Sequence, residues 1–236
     1  MLVSTRRFTI RDLIVGMVQT GTLPHTGTFK GVFPQIVPGT HPTGVNLRKF
    51  EAICETVFSD AATAEAGRST TPAHRENIKS VTCAIVHWKM ASQGGRGKVK
   101  NVRSRWTQLT YGQLICAYRH CSLSDFCIDG IRLPIASAML RFTHSNESGI
   151  MDSRGVKHTQ RAGIKTLSIR AKDGYINDTK ENIDKYYSEY ASFLKAEANS
   201  LTTARVTFPD FDAAGNSIRA SFRPCDIEMA LFKQAI

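Results

Sequence analysis

Asp152 is the residue whose setting points most directly to chemistry. It stands in Met151-Asp152-Ser153-Arg154, ahead of a basic helical stretch in which Arg154, Lys157 and Arg161 recur at three- and four-residue spacing. A carboxylate there caps the helix by accepting a backbone N–H, and on sequence position alone this is the favoured use. Upstream, Gly130-Ile131-Arg132 reads as a tight turn between a short helix after Ser122 and a second helix from Leu133 to Phe142, with Pro134 in its first turn. Backbone N–H groups at such a turn and helix start can hold a phosphate oxygen; the competing reading is an ordinary helical hairpin in a core.

Charge supports a polyanionic partner. The chain of 236 residues has 31 Lys+Arg against 20 Asp+Glu, a formal +11. Between Glu76 and Asp125 there is no carboxylate side chain, while Lys79, Lys89, Arg96, Lys98, Lys100, Arg103, Arg105 and Arg119 all fall there. A second acid-free block carries Arg154, Lys157, Arg161, Lys165, Arg170 and Lys172. Nucleic acid is the natural ligand for such faces, because each neutralised phosphate releases counterions; a solvated basic surface is the alternative.

The elements that must position these residues read as predominantly helical. Apolar residues recur at helical spacing from Phe8 to Val18, followed by a turn-rich connection from Gly21 to Gly44. Asn46 caps a helix running to about Phe58, and Thr71-Pro72 opens another with Ile78, Val81, Ile85 and Trp88 on one stripe, stopped by Gly94, Gly95 and Gly97. Thr110 and Gln113 fit a capping box ahead of Leu114. Asp178 with Glu181 begins a long amphipathic helix, Val206–Phe211 and Ile218–Phe222 fit a hairpin around Gly215-Asn216, and Pro224 opens a final helix. The expectation is an all-α fold with a small β-hairpin near 206–222. Its segments are an N-terminal arm and helices (1–70), a helical lobe (71–172) and closing helices (173–236).

The paired motifs resemble the helix-hairpin-helix DNA glycosylases, the superfamily of endonuclease-III-like, adenine-mismatch and 8-oxoguanine glycosylases. Their pattern runs LPGVGxxTAxxIL, a loop, then VDTHVxRVxxRLG. Gly130-Ile131-Arg132-Leu133-Pro134-Ile135-Ala136 is similar to the GVGxxTA part and Met151-Asp152-Ser153-Arg154 to VDTH; Lys157 and Arg161 take the two basic positions and Gly163 the terminal glycine. The resemblance covers about 40 residues directly, with two motifs in the right order and at a compatible separation. It implies a two-lobed helical fold, DNA as partner, Asp152 as the carboxylate that assists cleavage of an N-glycosidic bond, and DNA contacts from Gly130, Ile131, Arg132, Arg154, Lys157 and Arg161.

Two departures shape the expected chemistry. Arg132 stands where the hairpin usually has its third glycine, so a guanidinium contact replaces close backbone approach. Pro134 stands where bifunctional members carry the lysine that forms a Schiff base, so strand cleavage through an imine is not expected from that position. The cysteine series that holds an iron–sulfur cluster in some relatives is absent from the sequence, and none is expected. A monovalent cation at the hairpin is what the resemblance suggests, with Arg132 standing against it.

Reaching a glycosidic bond in duplex DNA requires extruding the nucleotide into a pocket. Trp106 is the candidate for stacking, whereas Trp88 belongs to an apolar stripe and Tyr186, Tyr187 and Tyr190 read as packing or rim residues. Asp226 and Glu228, at the start of the closing helix, either cap it or hydrogen-bond a base edge. Lys98, Lys100, Arg103 and Arg105 are further candidate phosphate contacts.

The six cysteines lack C-x-x-C pairs, and the gaps among Cys116, Cys121 and Cys127 match no common structural site, so no metal is expected. The histidines show no HExxH or triad-like arrangement. No stretch is apolar enough to span a membrane and the start does not read as a secretory signal, which points to a cytoplasmic protein, taken as a monomer. The leading expectation is a monofunctional DNA glycosylase, in repair or in defence against phage DNA with modified bases. The alternative is a non-catalytic helix-hairpin-helix DNA-binding protein. A metal-dependent nuclease ranks last, because residues 77–124 offer no carboxylates beside the basic face.

Overall fold

The computed structural model describes residues 15, 47–89, 95–128, 131–161, 183–212, 214 and 216–234, with backbone alone at 95–98, 108, 109, 154, 158, 161 and 232–234. The expected helix over Phe8–Val18 and the connection at Gly21–Gly44 lie essentially outside these residues, as do Gly130 and Asp178–Glu181. Among the described residues the protein is mainly helical, with nine helices and one C-terminal antiparallel hairpin.

Helix α1 (Leu47–Ala66) buries Leu47, Phe50, Cys54, Val57, Phe58 and Ala61 along one stripe. It runs a full two turns past Phe58, because nothing near that residue breaks it. Its end comes at Arg68, in the left-handed region at φ 54, with Ser69 N–H donating back to the Ala64 carbonyl at 2.8 Å. Helix α2 (Pro72–Lys89) begins at the expected proline. The glycines after it do not simply stop the chain: Gly95 opens helix α3 (Gly95–Ser104), whose Val102 is buried. Helix α4 (Gln108–His120) starts a turn earlier than expected. The capping box is formed by Thr107 and Thr110, with Thr110 N–H donating to Thr107 Oγ1 at 3.1 Å, rather than by Thr110 and Gln113.

The short α5 (Leu123–Phe126) leads into α6 (Leu133–Thr143), in which every residue but Pro134 is buried. A helix buried on all faces must sit at the centre, and α1, α2 and α5 all pack against α6. Phe142 anchors it, with ring centroids 4.7 Å from Phe50 and 4.9 Å from Trp88. Helix α7 (Ser153–Arg161) follows, then α8 (Ile183–Thr203), strands β1 (Phe208–Phe211) and β2 (Ser217–Ala220) in antiparallel register with Phe208 opposite Ala220, and α9 (Pro224–Gln234). Helix α9 packs on α7 and α8. One apolar core runs from Leu47 to Leu231, drawing on all three expected segments. No helix among the described residues is long and apolar enough to cross a membrane.

Buried ions tie the chain's distant parts together. Glu51 of α1 lies 2.6 Å from Arg141 of α6 and 2.7 Å from Arg223. Arg223 also holds Asp226 at 3.2 Å, and Arg48 reaches Asp210 at 2.7 Å and Asp226 at 3.5 Å. The Arg141–Glu51 contact is an ion pair without directed hydrogen-bond geometry, so the Arg141 nitrogens lack hydrogen-bond partners among the described residues. The network is therefore costly to break from one side.

Candidate functional site

Asp152 sits at the mouth of α7 and uses both carboxylate oxygens. Oδ1 accepts the Gly155 N–H at 3.0 Å, which is the helix cap, and Oδ2 accepts from Lys89 Nζ at 2.9 Å. Lys89 is the last residue of α2, 63 positions away in sequence. The two side chains are 14% and 13% exposed, so the pair is mostly desolvated but open at one edge.

The backbone leading into Asp152 is fixed at three consecutive residues by side chains from two helices. Tyr187 O–H donates to the Gly149 carbonyl at 2.8 Å and Tyr190 O–H to the Ile150 carbonyl at 3.0 Å. The Ser137 hydroxyl of α6 accepts the Met151 N–H at 3.1 Å. Burial pushes both tyrosine phenols up, so they remain O–H donors. Gly149 is required by close approach: a Cβ there would lie 2.5 Å from Leu194 Cδ1 and 2.9 Å from Glu228 Cβ. The carboxylate is thus presented by a strap with little freedom, as a preorganised electrostatic group needs.

Glu228 of α9 lies behind the strap, 2% exposed, with no hydrogen-bond partner for Oε2 among the described residues. Burial pushes its carboxyl up to about 8; Lys89 opposes the rise and the Asp152 charge adds to it. Asp152, Lys89 and Glu228 therefore form one electrostatic group contributed by α2, α7 and α9.

The other expected site residues divide. Asp226 is fully buried and takes the Arg223 N–H at 2.8 Å, the reciprocal half of a capping box, besides its arginine partners. Those contacts commit it to structure and not to a base edge. Trp106 is partly buried against the core at the junction of α3 and α4. Ile131 is 1% exposed and its N–H donates to the Ile128 carbonyl at 2.9 Å, so this amide is not available to a phosphate as expected. Arg132 is exposed, precedes α6 and makes no side-chain cap. Lys100, Arg103, Arg105 and Lys157 are exposed, while the side chains of Lys98, Arg154 and Arg161 lie outside the description. A cleft of about 570 Å³ lined by Glu55, Asp60, Tyr118, His144 and Glu147 is acid-rich, the wrong sign for phosphate.

Sequence reasoning missed Lys89, Ser137, Tyr187 and Tyr190 as parts of this site. Tyr187 and Tyr190 had a signal, two phenols on one helix face that bury only if their hydroxyls find acceptors. Lys89 had none beyond its place in an acid-free block.

Comparison with protein-family models, curated proteins and solved structures gives no match for this chain.

Proposed function

We propose that this chain is a monofunctional DNA N-glycosylase of helix-hairpin-helix type, removing a damaged or modified base from an extruded nucleotide and leaving an abasic site. The observation that carries the reading is the rigidly strapped Asp152 carboxylate at the start of a basic helix, partly open to solvent and paired to Lys89. As the glycosidic bond breaks, its electron pair leaves with the base and positive charge builds on the sugar. Asp152 stabilises that charge and accepts a proton from the water that bonds to C1′. Exposed Arg132 and Lys157 supply phosphate contacts at the two motifs.

Lys89 Nζ donates to Asp152 Oδ2 at 2.9 Å, a contact that ties the amine to the carboxylate and fits hydrolysis without imine formation. A second reading, a DNA-binding protein without turnover, is favoured by the occupation of both Asp152 oxygens and of the Ile131 amide. Incubating the protein with duplexes carrying varied modified bases separates the two. Breaks that appear only after alkali, with the free base found by mass spectrometry, support the glycosylase. Tight binding with no released base on any substrate supports the binding protein, and a borohydride-trapped adduct would overturn the monofunctional assignment.

A further inference from the structure

A second cluster of reactive side chains lies apart from the Asp152 group. Cys116 and His120 stand one turn apart on α4, and Asp125 projects from α5 after the chain reverses through Cys121, at φ 50, and Ser122. His120 Nδ1 lies 3.6 Å from Cys116 Sγ and 3.3 Å from Asp125 Oδ2, and the three donor atoms all fall within 4.8 Å of one another. All three residues are exposed.

Both partners converge on the same ring nitrogen. A proton relay needs the thiol on one imidazole nitrogen and the carboxylate on the other, so that the ring passes a proton between them. Here a single nitrogen faces both, which a relay cannot use and a shared cation can. The spacing fits as well. With zinc bonds of about 2.3 Å to sulfur and about 2.0–2.2 Å to nitrogen and oxygen, tetrahedral angles place sulfur and nitrogen about 3.6 Å apart and nitrogen and oxygen about 3.4 Å apart. The two observed separations match these edges to about 0.1 Å, and the third edge, sulfur to oxygen, lies within 4.8 Å where the same geometry asks for about 3.6 Å.

We propose that Cys116, His120 and Asp125 bind a zinc-class divalent cation through Sγ, Nδ1 and Oδ2, with a fourth position open to water. Thiolate plus imidazole selects zinc-like ions over magnesium or calcium. The site lies at the C-terminal end of α4, where a cation is favoured by the helix dipole. Its Asp125 ligand sits on a short helix that is itself tethered: Ser124 N–H donates to Asp184 Oδ1 at 2.9 Å, and the Ser124 hydroxyl donates to Asp184 Oδ2. A bound ion would therefore clamp α4 to α5 and through it to α8, just ahead of the hairpin segment. Spacing among cysteines alone could not show this, because the partners of Cys116 are a histidine and an aspartate and not Cys121 or Cys127. The inference stands whether or not the chain removes bases.

The test uses the reduced full chain, stripped with chelator and titrated with Co²⁺. The expected result is one ion per chain, with a thiolate-to-cobalt charge-transfer band and the strong visible bands of four-coordination, displaced by Zn²⁺. Cys116→Ser should lose the charge-transfer band, His120→Ala should lose binding, and Asp125→Asn should weaken it, while Cys121→Ser retains all signals. Zn²⁺ at about 100 times its dissociation constant should raise the melting temperature by roughly 5–10 °C in the wild type and not in Cys116→Ser. Absence of the band, or a band that survives Cys116→Ser, overturns the assignment. All four variants alter exposed side chains, and unchanged metal-free melts establish that they fold.

Discussion

Replacing Asp152 with Asn separates the helix cap from the chemical role proposed for this residue. The amide oxygen still accepts the Gly155 N–H, and Asn caps helices about as well as Asp, so the start of α7 survives. What is lost is the charge facing Lys89 across 2.9 Å, in a pair whose side chains are 14% and 13% exposed. Exposed pairs contribute about 0.2–1 kcal/mol and one-sided loss of a buried pair costs about 3–5 kcal/mol. The pair keeps an open edge and the introduced side chain still offers an amide oxygen to Lys89, which places the loss between these ranges, about 1–2 kcal/mol, or roughly 2–8 °C in melting temperature for a chain of this size. Excision should fall much further, about 10²–10³-fold, the scale of removing one preorganised electrostatic group from a reacting centre. Lys89→Met breaks the same pair and should cost a similar number of degrees, yet it leaves the Asp152 carboxyl group and excision in place. The assay is alkali-dependent cleavage of modified duplexes, with melting curves and DNA affinity measured on the same preparations. Wild-type excision by folded Asp152→Asn would refute the catalytic reading. Equal losses in both variants, in proportion to their melting temperatures, would reduce Asp152 to a cap.

Glu228 gives a pH signature. Its carboxyl is pushed up to about 8 by burial, so the folded chain keeps a proton that the unfolded chain releases from 4.5 upward. This contribution is complete below about 4.5 and is lost as the pH rises through about 8. Denaturant midpoints should therefore fall between about pH 5 and 9 in the wild type and fall less in Glu228→Gln; parallel curves would show that Glu228 does not titrate this way. Glu51→Gln, which strips Arg141 and Arg223 of a buried partner, should cost about 3–5 kcal/mol in chemical denaturation, whereas Glu147→Gln, at the exposed Lys195 pair, should cost at most about 1 kcal/mol. Comparable losses would mean that the buried network carries no special weight. Arg132→Ala should weaken binding to all DNA sequences alike and lower the slope of log affinity against log salt by about one, as measured by fluorescence anisotropy; an unchanged slope would remove Arg132 from the phosphate contacts.

Local signals located the elements where local chemistry decides them. Pro72 and Pro224 open α2 and α9 where a fixed φ and a missing donor predict, and Leu133–Thr143 is helical where the apolar density predicts. Boundaries failed where the device was unusual. Helix α1 overran Phe58 because it ends on an arginine in the left-handed region and not on a glycine. Helix α4 began early because its box uses Thr110 in place of the Glu or Gln that marks the pattern. Gly95 opened a helix because an N-terminus tolerates glycine that an interior does not. At the site, the Asp152 cap was legible because cap and helix are neighbours in sequence. The Lys89 pair spans 63 residues and the tyrosine contacts to Gly149 and Ile150 span 38 and 40, so they exist only once α2 and α8 have docked.

The distribution of buried acids changes what the net charge means. Glu51, Asp210 and Asp226 are consumed by Arg48, Arg141 and Arg223, equal numbers of opposite sign, so the formal +11 is carried entirely by residues outside that network. Glu228, with its carboxyl pushed to about 8, is largely neutral at pH 7, which makes the folded chain one unit more positive than the formal count. The network itself leaves the net charge unchanged, and Lys100, Arg103, Arg105, Arg132 and Lys157 are exposed, as are the acids Asp60, Glu76, Asp125, Glu147 and Asp184. If the partner is the polyanion proposed above, the exposed cations supply the attraction while the buried pairs serve the core.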